Sequence, residues 1–395
     1  MFSDDETGFP LQPDSRVFKV MIVAGEASGD LHGAYLVQAM KVMMPNVSFC
    51  GVGGHKMQQA GVTLLSNVSD LAVMGLVEVL GRLKTILGVM AVLKRILEED
   101  RPHLLILIDY PGFNLKLAKA AKKRGIKVLY YISPKVWAWR KGRVKTIRCI
   151  VDHMALIFPF EEDIYRKAGV PATFVGHPLL EEIELRKTID EINHEFDLET
   201  DKTTVALLPG SREGEVHRIL PVMVQAAKIL TDRFPAIQFV LPIAHTLPPG
   251  LISGVFSHAG ITVRLVNGRT HEVLSVSDVA MVASGTASLE TALLVKPMVI
   301  VYKVSPLTYF LGKMVVRIRH AGLPNIIAGR TIVPELIQKD FTPQRVADEI
   351  SLILKEQQVR DRMIQDLIAL RRRLGEAGAS RRTARLACSM LMQGS

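Results

Sequence analysis

Asp109 stands directly after the apolar run 104–108 and is followed by Tyr110-Pro111-Gly112-Phe113-Asn114. A carboxylate at the tip of a buried strand is shielded from water, which raises its pKa and fits it to take a proton from a hydroxyl about 3 Å away. The same aspartate would otherwise brace the Pro-Gly turn through main-chain bonds. A second edge follows the run 17–23, where Ala24-Gly25-Glu26-Ala27-Ser28-Gly29-Asp30 makes a glycine-containing turn into a helix. Free amides at such a turn receive an anion or a hydroxyl-rich ligand. The spacing is not GxGxxG, and Ser28 and Gly29 equally fit an ordinary helix cap and turn.

Two further edges lie in the second half. After 204–208 comes Pro209-Gly210-Ser211-Arg212-Glu213-Gly214-Glu215, where main-chain amides and a planar guanidinium suit a diphosphate. After 279–283 comes Ser284-Gly285-Thr286-Ala287-Ser288-Leu289-Glu290. A capping box needs Glu or Gln three residues beyond Ser284 or Thr286, and those places hold Ala287 and Leu289. Glu290 is therefore either an acceptor for the two hydroxyls of a ribose or a plain helix-face acid.

Both tryptophans fall in Ser133-Pro134-Lys135-Val136-Trp137-Ala138-Trp139-Arg140, and Lys141, Arg143, Lys145 and Arg148 extend the basic patch with no acid between. Bases beside indoles can meet a phosphate, a lipid headgroup or RNA. The segment 71–97 has helical apolar spacing at Val73, Leu76, Leu80, Leu83, Leu87, Met90 and Leu97, which core packing explains by default. Its start, 71–77 around Met74, is apolar on every side and open to acyl chains as well. No Asp-x-Asp pair occurs to hold a metal against a diphosphate, and HExxH, GxSxG and P-loop patterns are absent.

Such edges need a scaffold of parallel strands. Short β-branched runs alternate with helix-length amphipathic segments, which is an α/β pattern with crossover helices. The runs 17–23, 47–52, 104–108, 127–132 and 154–158 predict one sheet, and 204–208, 238–241, 262–266, 279–283 and 298–302 a second. Gly176-His177-Pro178 and the charged, strandless stretch 181–201 mark a hinge. Beyond Phe341 only helical patterning remains, and the last helix, with Arg381, Arg382 and Arg385, is expected to return to the first domain. The expected division is a leader 1–16, a first domain of 17–175 plus 360–395, and a second of 176–359. The apolar last helix also allows a homodimer.

A length of 395 residues fits two domains, and 48% hydrophobic with 22% charged residues excludes disordered, collagen-like and fibrous chains. Lys and Arg number 49 against 39 Asp and Glu, a net +10 that favours anionic partners. Three scattered cysteines give neither a disulfide framework nor a zinc site, so a reducing cytoplasm is expected. The acidic leader is the opposite of a signal peptide's start, and no apolar run reaches the ~18 residues of a membrane span.

Together, the edges at 24–30, 108–114, 208–212 and 283–286, with the segments 73–82, 133–140 and Leu323-Pro324-Asn325-Ile326-Ile327-Ala328-Gly329, closely resemble the lipid-A-disaccharide synthase family from Lys19 onward. The resemblance implies a GT-B glycosyltransferase, two Rossmann-like domains facing a cleft, that inverts the anomeric centre with neither metal nor cofactor. It implies UDP-2,3-diacylglucosamine as donor and 2,3-diacylglucosamine 1-phosphate as acceptor, with work at the cytoplasmic face of the inner membrane. Carried over by motif, Asp109 is the base on the acceptor 6-hydroxyl. Gly210, Ser211, Arg212, Ser284, Gly285 and Thr286 hold the diphosphate, Glu290 the ribose, and Asn325 lines the donor side. Ser28, Gly29, Asp30, Met74, Trp137 and Arg140 are expected toward acceptor and membrane. Lys135 stands where the family often carries an uncharged polar residue. Two rivals remain: an enzyme like UDP-N-acetylglucosamine 2-epimerase, whose fold shares the UDP half-site, and a non-catalytic nucleic-acid binder. The basic patch has no RNP, KH or helix-turn-helix pattern beside it, so no nucleic-acid partner is expected.

Overall fold

The computed structural model describes residues 17–71, 83–138, 142–183, 185–248, 250–256, 260–305 and 320–393. Leader residues 1–16 lie outside them, as do Met74 and most of the apolar segment around it, and Arg140.

The chain forms two parallel sheets. The first joins β1 (Phe18–Ala24), β2 (Val47–Gly53), β3 (Val62–Asn67), β4 (Leu104–Ile108), β5 (Lys127–Tyr131), β6 (His153–Leu156) and β7 (Ala172–Phe174) in the order β3-β2-β1-β4-β5-β6-β7. The second joins β8 (Thr203–Leu208), β9 (Ile237–Ile243), β10 (Val263–Asn267), β11 (Val279–Ala283), β12 (Met298–Tyr302) and β13 (Glu335–Ile337) in the order β10-β9-β8-β11-β12-β13. The central strands β4 and β11 are buried along their whole length, as helices on both faces require. β3, β7 and β13 were not expected from sequence. Each is a sheet edge with mixed burial, so its residues lack the continuous apolar run that marks a central strand.

Each sheet winds outward in both directions from its first strand, so strand order reverses between β1 and β4 and again between β8 and β11. Open α/β sheets bind ligands beyond the carboxyl ends of strands at such switch points. All four edges singled out in the sequence lie there: 24–30 after β1, Asp109 after β4, 209–215 after β8 and 284–290 after β11.

The last helix, Ala379–Met392, packs on the helix Ala27–Met43 of the first half and buries Ala384, Ala387, Cys388 and Leu391 there. Its apolar face is thus used inside the chain, which removes the reason for expecting a homodimer through it. The helix Gln357–Arg373 packs instead on second-half elements, with Met298 donating its main-chain N–H to Met363 Sδ and Arg330 paired to Asp366. The chain therefore returns to the first half between Arg373 and Ala379, later than the expected 360. That crossing lies beside the outward one: His177 donates to the Leu374 carbonyl, and Arg382 donates to the carbonyls of Val175, Glu376 and Ala377. Glu181 accepts from the main chain and hydroxyl of Ser380 at 2.8 and 2.7 Å.

Candidate functional site

The two switch points face one cleft with two chambers. The larger, about 520 Å³, is lined by the 208–212 turn, Glu215, Ser284–Thr286, Glu290 and Leu323, with Lys135 and Trp137 reaching in from the first half. The smaller, about 240 Å³, is lined by Glu26, Ser28, Gly29, His32, Asp109, Tyr110, His177 and Glu182, with Thr286 and Glu290 from the second half. Lys135, Thr286, Glu290 and Leu323 border both chambers, so Asp109 and Arg212 open onto one continuous groove.

Asp109 is held by its main chain and leaves its carboxylate to the chamber. Asp109 and Tyr110 are both left-handed, at φ 44° and 46°, a conformation that costs about 1–3 kcal/mol per residue and persists only when the surroundings enforce it. The enforcement is visible. Asp109 N–H donates to the Tyr131 carbonyl, and its own carbonyl accepts from Asn114 Nδ2 at 2.8 Å and the Tyr130 hydroxyl at 2.5 Å. Tyr110 donates its hydroxyl to the Leu71 carbonyl, and its ring lies against Gly25, where an added Cβ would meet Cγ at 2.2 Å. Gly25 is thus the only residue type that lets the two edges close together. Burial pushes the Asp109 carboxyl up to about 6; Glu26's charge adds to this, while Lys135 and the Tyr110 main chain oppose it.

The rest of the smaller chamber is acidic with neutral imidazoles. Burial, then the charge of Lys56, brings His32 down to about 4, and burial with His32 brings His177 down to about 3. Glu182 lies 3.3 Å from His32 and is pushed up to about 7 by burial, then by Glu290 and Glu181 against Lys56. Sequence reasoning missed Glu26, His32, His177 and Glu182. Glu26 and His177 stood inside motifs already noted, but nothing in their spacing showed which way they face.

The larger chamber is built differently. Gly210, at φ 111°, turns so tightly that a Cβ would meet Glu215 Oε2 at 2.7 Å. Arg212 occupies the N-cap position of the helix Glu213–Arg233, which passes through Pro221 unbroken. Its side chain is 64% exposed, and its guanidinium lies 3.0 Å from Glu215 Oε1. Such an exposed pair is worth at most about 1 kcal/mol, so the arginine can turn to a phosphate at small cost. Opposite it, Gly285 and Thr286 begin the helix Thr286–Leu293, and Ser284 donates to the Ala321 carbonyl at 2.8 Å. Amides at this helix start and its dipole favour an anion. Glu290, one turn along, is 19% exposed and its pKa is raised by burial.

A family model described as lipid-A-disaccharide synthetase matches residues 20–388. The lipid-A-disaccharide synthase of Syntrophus aciditrophicus (strain SB) is 51% identical over 373 residues, 94% of this chain and 97% of that one. This chain belongs to the lipid-A-disaccharide synthase family. It is a glycosyltransferase with the GT-B fold, two facing Rossmann-like halves. Solved structures share that fold at low identity. UDP-GlcNAc 2-epimerase from Neisseria meningitidis bound to UDP-GlcNAc has TM-score 0.64 at 13% identity, covering 95% of this chain and 100% of that one. The glycotransferase of kitacinnamycin has TM-score 0.63 at 14% identity, covering 94% and 98%. The epimerase likeness is one of architecture; the family match covers this chain's own sequence.

Against the expectations for this family, three residues are turned elsewhere. Asp30 accepts from the amides of Gly54 (2.6 Å), Met57 (3.0 Å) and Lys56 (3.2 Å), so its carboxylate braces the turn after β2 and lines neither chamber. Asn325 is fully buried, donating to Val333 O and Glu335 Oε1 and accepting from the amides of Ile332 and Val333. It reaches the donor side only indirectly: Glu335 in turn accepts from Ala321 and Gly322, next to Leu323. Trp137, expected toward acceptor and membrane, faces the larger chamber because its ring packs edge-on against Phe158 and Phe160. Ser28 and Gly29 do line the smaller chamber with Asp109, and Glu26, not Ser28, takes the N-cap position of their helix.

Proposed function

We propose that this glycosyltransferase joins UDP-2,3-diacylglucosamine to the 6-hydroxyl of 2,3-diacylglucosamine 1-phosphate, giving the β-1,6-linked disaccharide 1-phosphate and UDP. The observation that carries the assignment of roles is the groove itself, with a shielded carboxylate in one chamber and an amide-and-guanidinium cradle in the other. Asp109 takes the proton of the acceptor hydroxyl as its oxygen bonds to the donor's anomeric carbon. The bond from that carbon to the diphosphate breaks on the opposite face, which inverts the centre. Negative charge then grows on the departing UDP. Gly210, Ser211, Arg212 and the helix start at Ser284–Thr286 stabilise it in place, as fixed donors aimed at developing charge do. Glu290 accepts from the ribose hydroxyls, and Ser28 and Gly29 support the acceptor sugar. Among the described residues no cluster of three or more His, Cys, Asp or Glu side chains could hold a metal ion.

Acylated substrates must reach the groove from a lipid surface. Among the described residues no helix is long and apolar enough to cross a membrane. The helix Leu83–Glu99 exposes Leu83 (43%) and Leu87 (57%) beside Lys84, and this apolar face with basic flanks fits peripheral contact with anionic lipid on the cytoplasmic face of the inner membrane. The deciding experiment supplies the purified protein with both acylated sugars and follows UDP and disaccharide phosphate. Asp109→Asn should lower kcat by about 10²- to 10⁴-fold while UDP still protects the protein from thermal unfolding. Unchanged turnover would remove Asp109 as the base.

A further inference from the structure

We propose that the Lys135 ammonium receives a phosphate oxygen at the junction of the two chambers, from the donor's leaving diphosphate or from the phosphate on the acceptor sugar. The inference rests on the glycosyl-transfer reading above and deepens it. Lys135 stands in the turn after β5, exposed to the cleft, and borders both chambers together with Thr286, Glu290 and Leu323. It is the only lysine or arginine among the described residues lining the smaller chamber, whose acids are Glu26, Asp109, Glu182 and Glu290. The chamber's two histidines are held neutral by burial, so neither can supply a positive charge near pH 7. Arg212 lines the larger chamber only. A phosphate brought toward the hydroxyl-activating side would meet repulsion from these carboxylates, and Lys135 is the group placed to offset it.

The same charge acts on the base. Asp109 is faced by Glu26 at the N-cap of the helix after β1, Tyr130 on β5, Lys135 on the following turn and Glu161 on the helix Phe160–Lys167. His32, His177, Glu182 and Glu290 close the chamber around it. Among these charged groups, Lys135 is the one that holds the Asp109 carboxyl down against burial, alongside the Tyr110 main-chain amide. A docked phosphate cancels part of that charge and raises the proton affinity of Asp109 as the hydroxyl arrives. Lys135 thus couples the arrival of substrate to the strength of the base.

The test compares wild type, Lys135→Gln and Lys135→Arg by acceptor kinetics, UDP calorimetry and the pH profile of kcat/KM. Loss of one charge-assisted contact should raise either the acceptor KM or the UDP Kd by about 10- to 100-fold in Lys135→Gln, with Lys135→Arg recovering most of it. A raised acceptor KM at unchanged UDP Kd identifies the acceptor's phosphate, and a raised UDP Kd the leaving diphosphate. In both cases the acidic limb of Lys135→Gln moves to higher pH, which a merely structural lysine would not cause. Unchanged KM, Kd and limb in Lys135→Gln overturn the proposal. Failure of the wild type to form disaccharide phosphate counts against the parent reading; an active wild type matched by Lys135→Gln counts against Lys135 alone.

Discussion

The two halves of the chain share a winding order yet prepare their switch points for opposite work. Behind β1 and β4, acids are gathered with little to neutralise them: Asp109, Glu161 and Glu182 are all pushed above the ordinary carboxylate range, burial being the largest cause in each. Behind β8 an arginine stands exposed beside an acid, Arg212 with Glu215, and behind β11 a single acid, Glu290, is raised by burial. One half stores proton affinity in buried carboxyls. The other keeps an exposed arginine and a helix start facing the groove. On the proposed mechanism, inversion at a sugar carbon needs both, a base for the incoming oxygen and a stabiliser for the outgoing one, and two copies of one topology would divide the tasks.

The division breaks most visibly at its cationic side. Arg212→Ala should lower kcat/KM by about 10²- to 10³-fold, the scale of losing one donor to transition-state charge, and should weaken UDP protection against thermal unfolding. Asp109→Asn is its counterpart, with turnover lost and UDP protection kept, so the pair separates the two halves by readout. An Arg212→Ala enzyme with full activity and full UDP affinity would place the diphosphate elsewhere. A smaller effect sharpens the acidic side. As the proposed base, Asp109 would work only when ionised, so kcat/KM should hold level above its pKa and fall as pH drops through about 6. An ordinary aspartate would put that limb near pH 4. A profile level down to pH 5 would show that the carboxyl is not shielded as the geometry has it.

Much of this was legible before any coordinates, and for a physical reason. Central strands are apolar end to end because helices cover both faces, so β1, β4, β8 and β11 announce themselves, and with them the residues at their tips. Direction was not legible. Asp30 and Asn325 sit in motifs as specific as that of Asp109, yet each spends its side chain on main-chain amides across a turn 24 or 7 residues away. Short sequence spacing cannot report such partners. The edge strands β3, β7 and β13 failed for the opposite reason, since half-exposed strands carry the mixed residues of loops. Glu182 and His32, 150 residues apart in sequence, meet at 3.3 Å only in the fold.

The smallest expected effect tests whether the acidic half truly sacrifices stability for its chemistry. Glu161 is fully buried beneath the turn that carries Lys135 and Trp137, and burial pushes it up to about 8, with the Ser133 hydroxyl and Phe158 main chain opposing and Asp109's charge adding. An unfolded glutamate titrates near 4.3. Below that value the group is protonated in both states and contributes nothing to the pH dependence. Between there and about 8 the folded protein alone keeps the proton, so stability declines as pH rises, and above about 8 the full cost of a buried charge is present. Glu161→Gln removes the titration while keeping the shape. It should therefore gain on wild type progressively with pH, by roughly 1–2 kcal/mol near pH 9, since relaxation and water entry blunt the full shift. Thermal melts at pH 5 and pH 9 measure this as a Tm difference that opens by a few degrees. A constant offset at both pH values would mean that Glu161 finds a compensating partner on ionising, and the contrast between the two halves would then rest on Asp109 and Glu182.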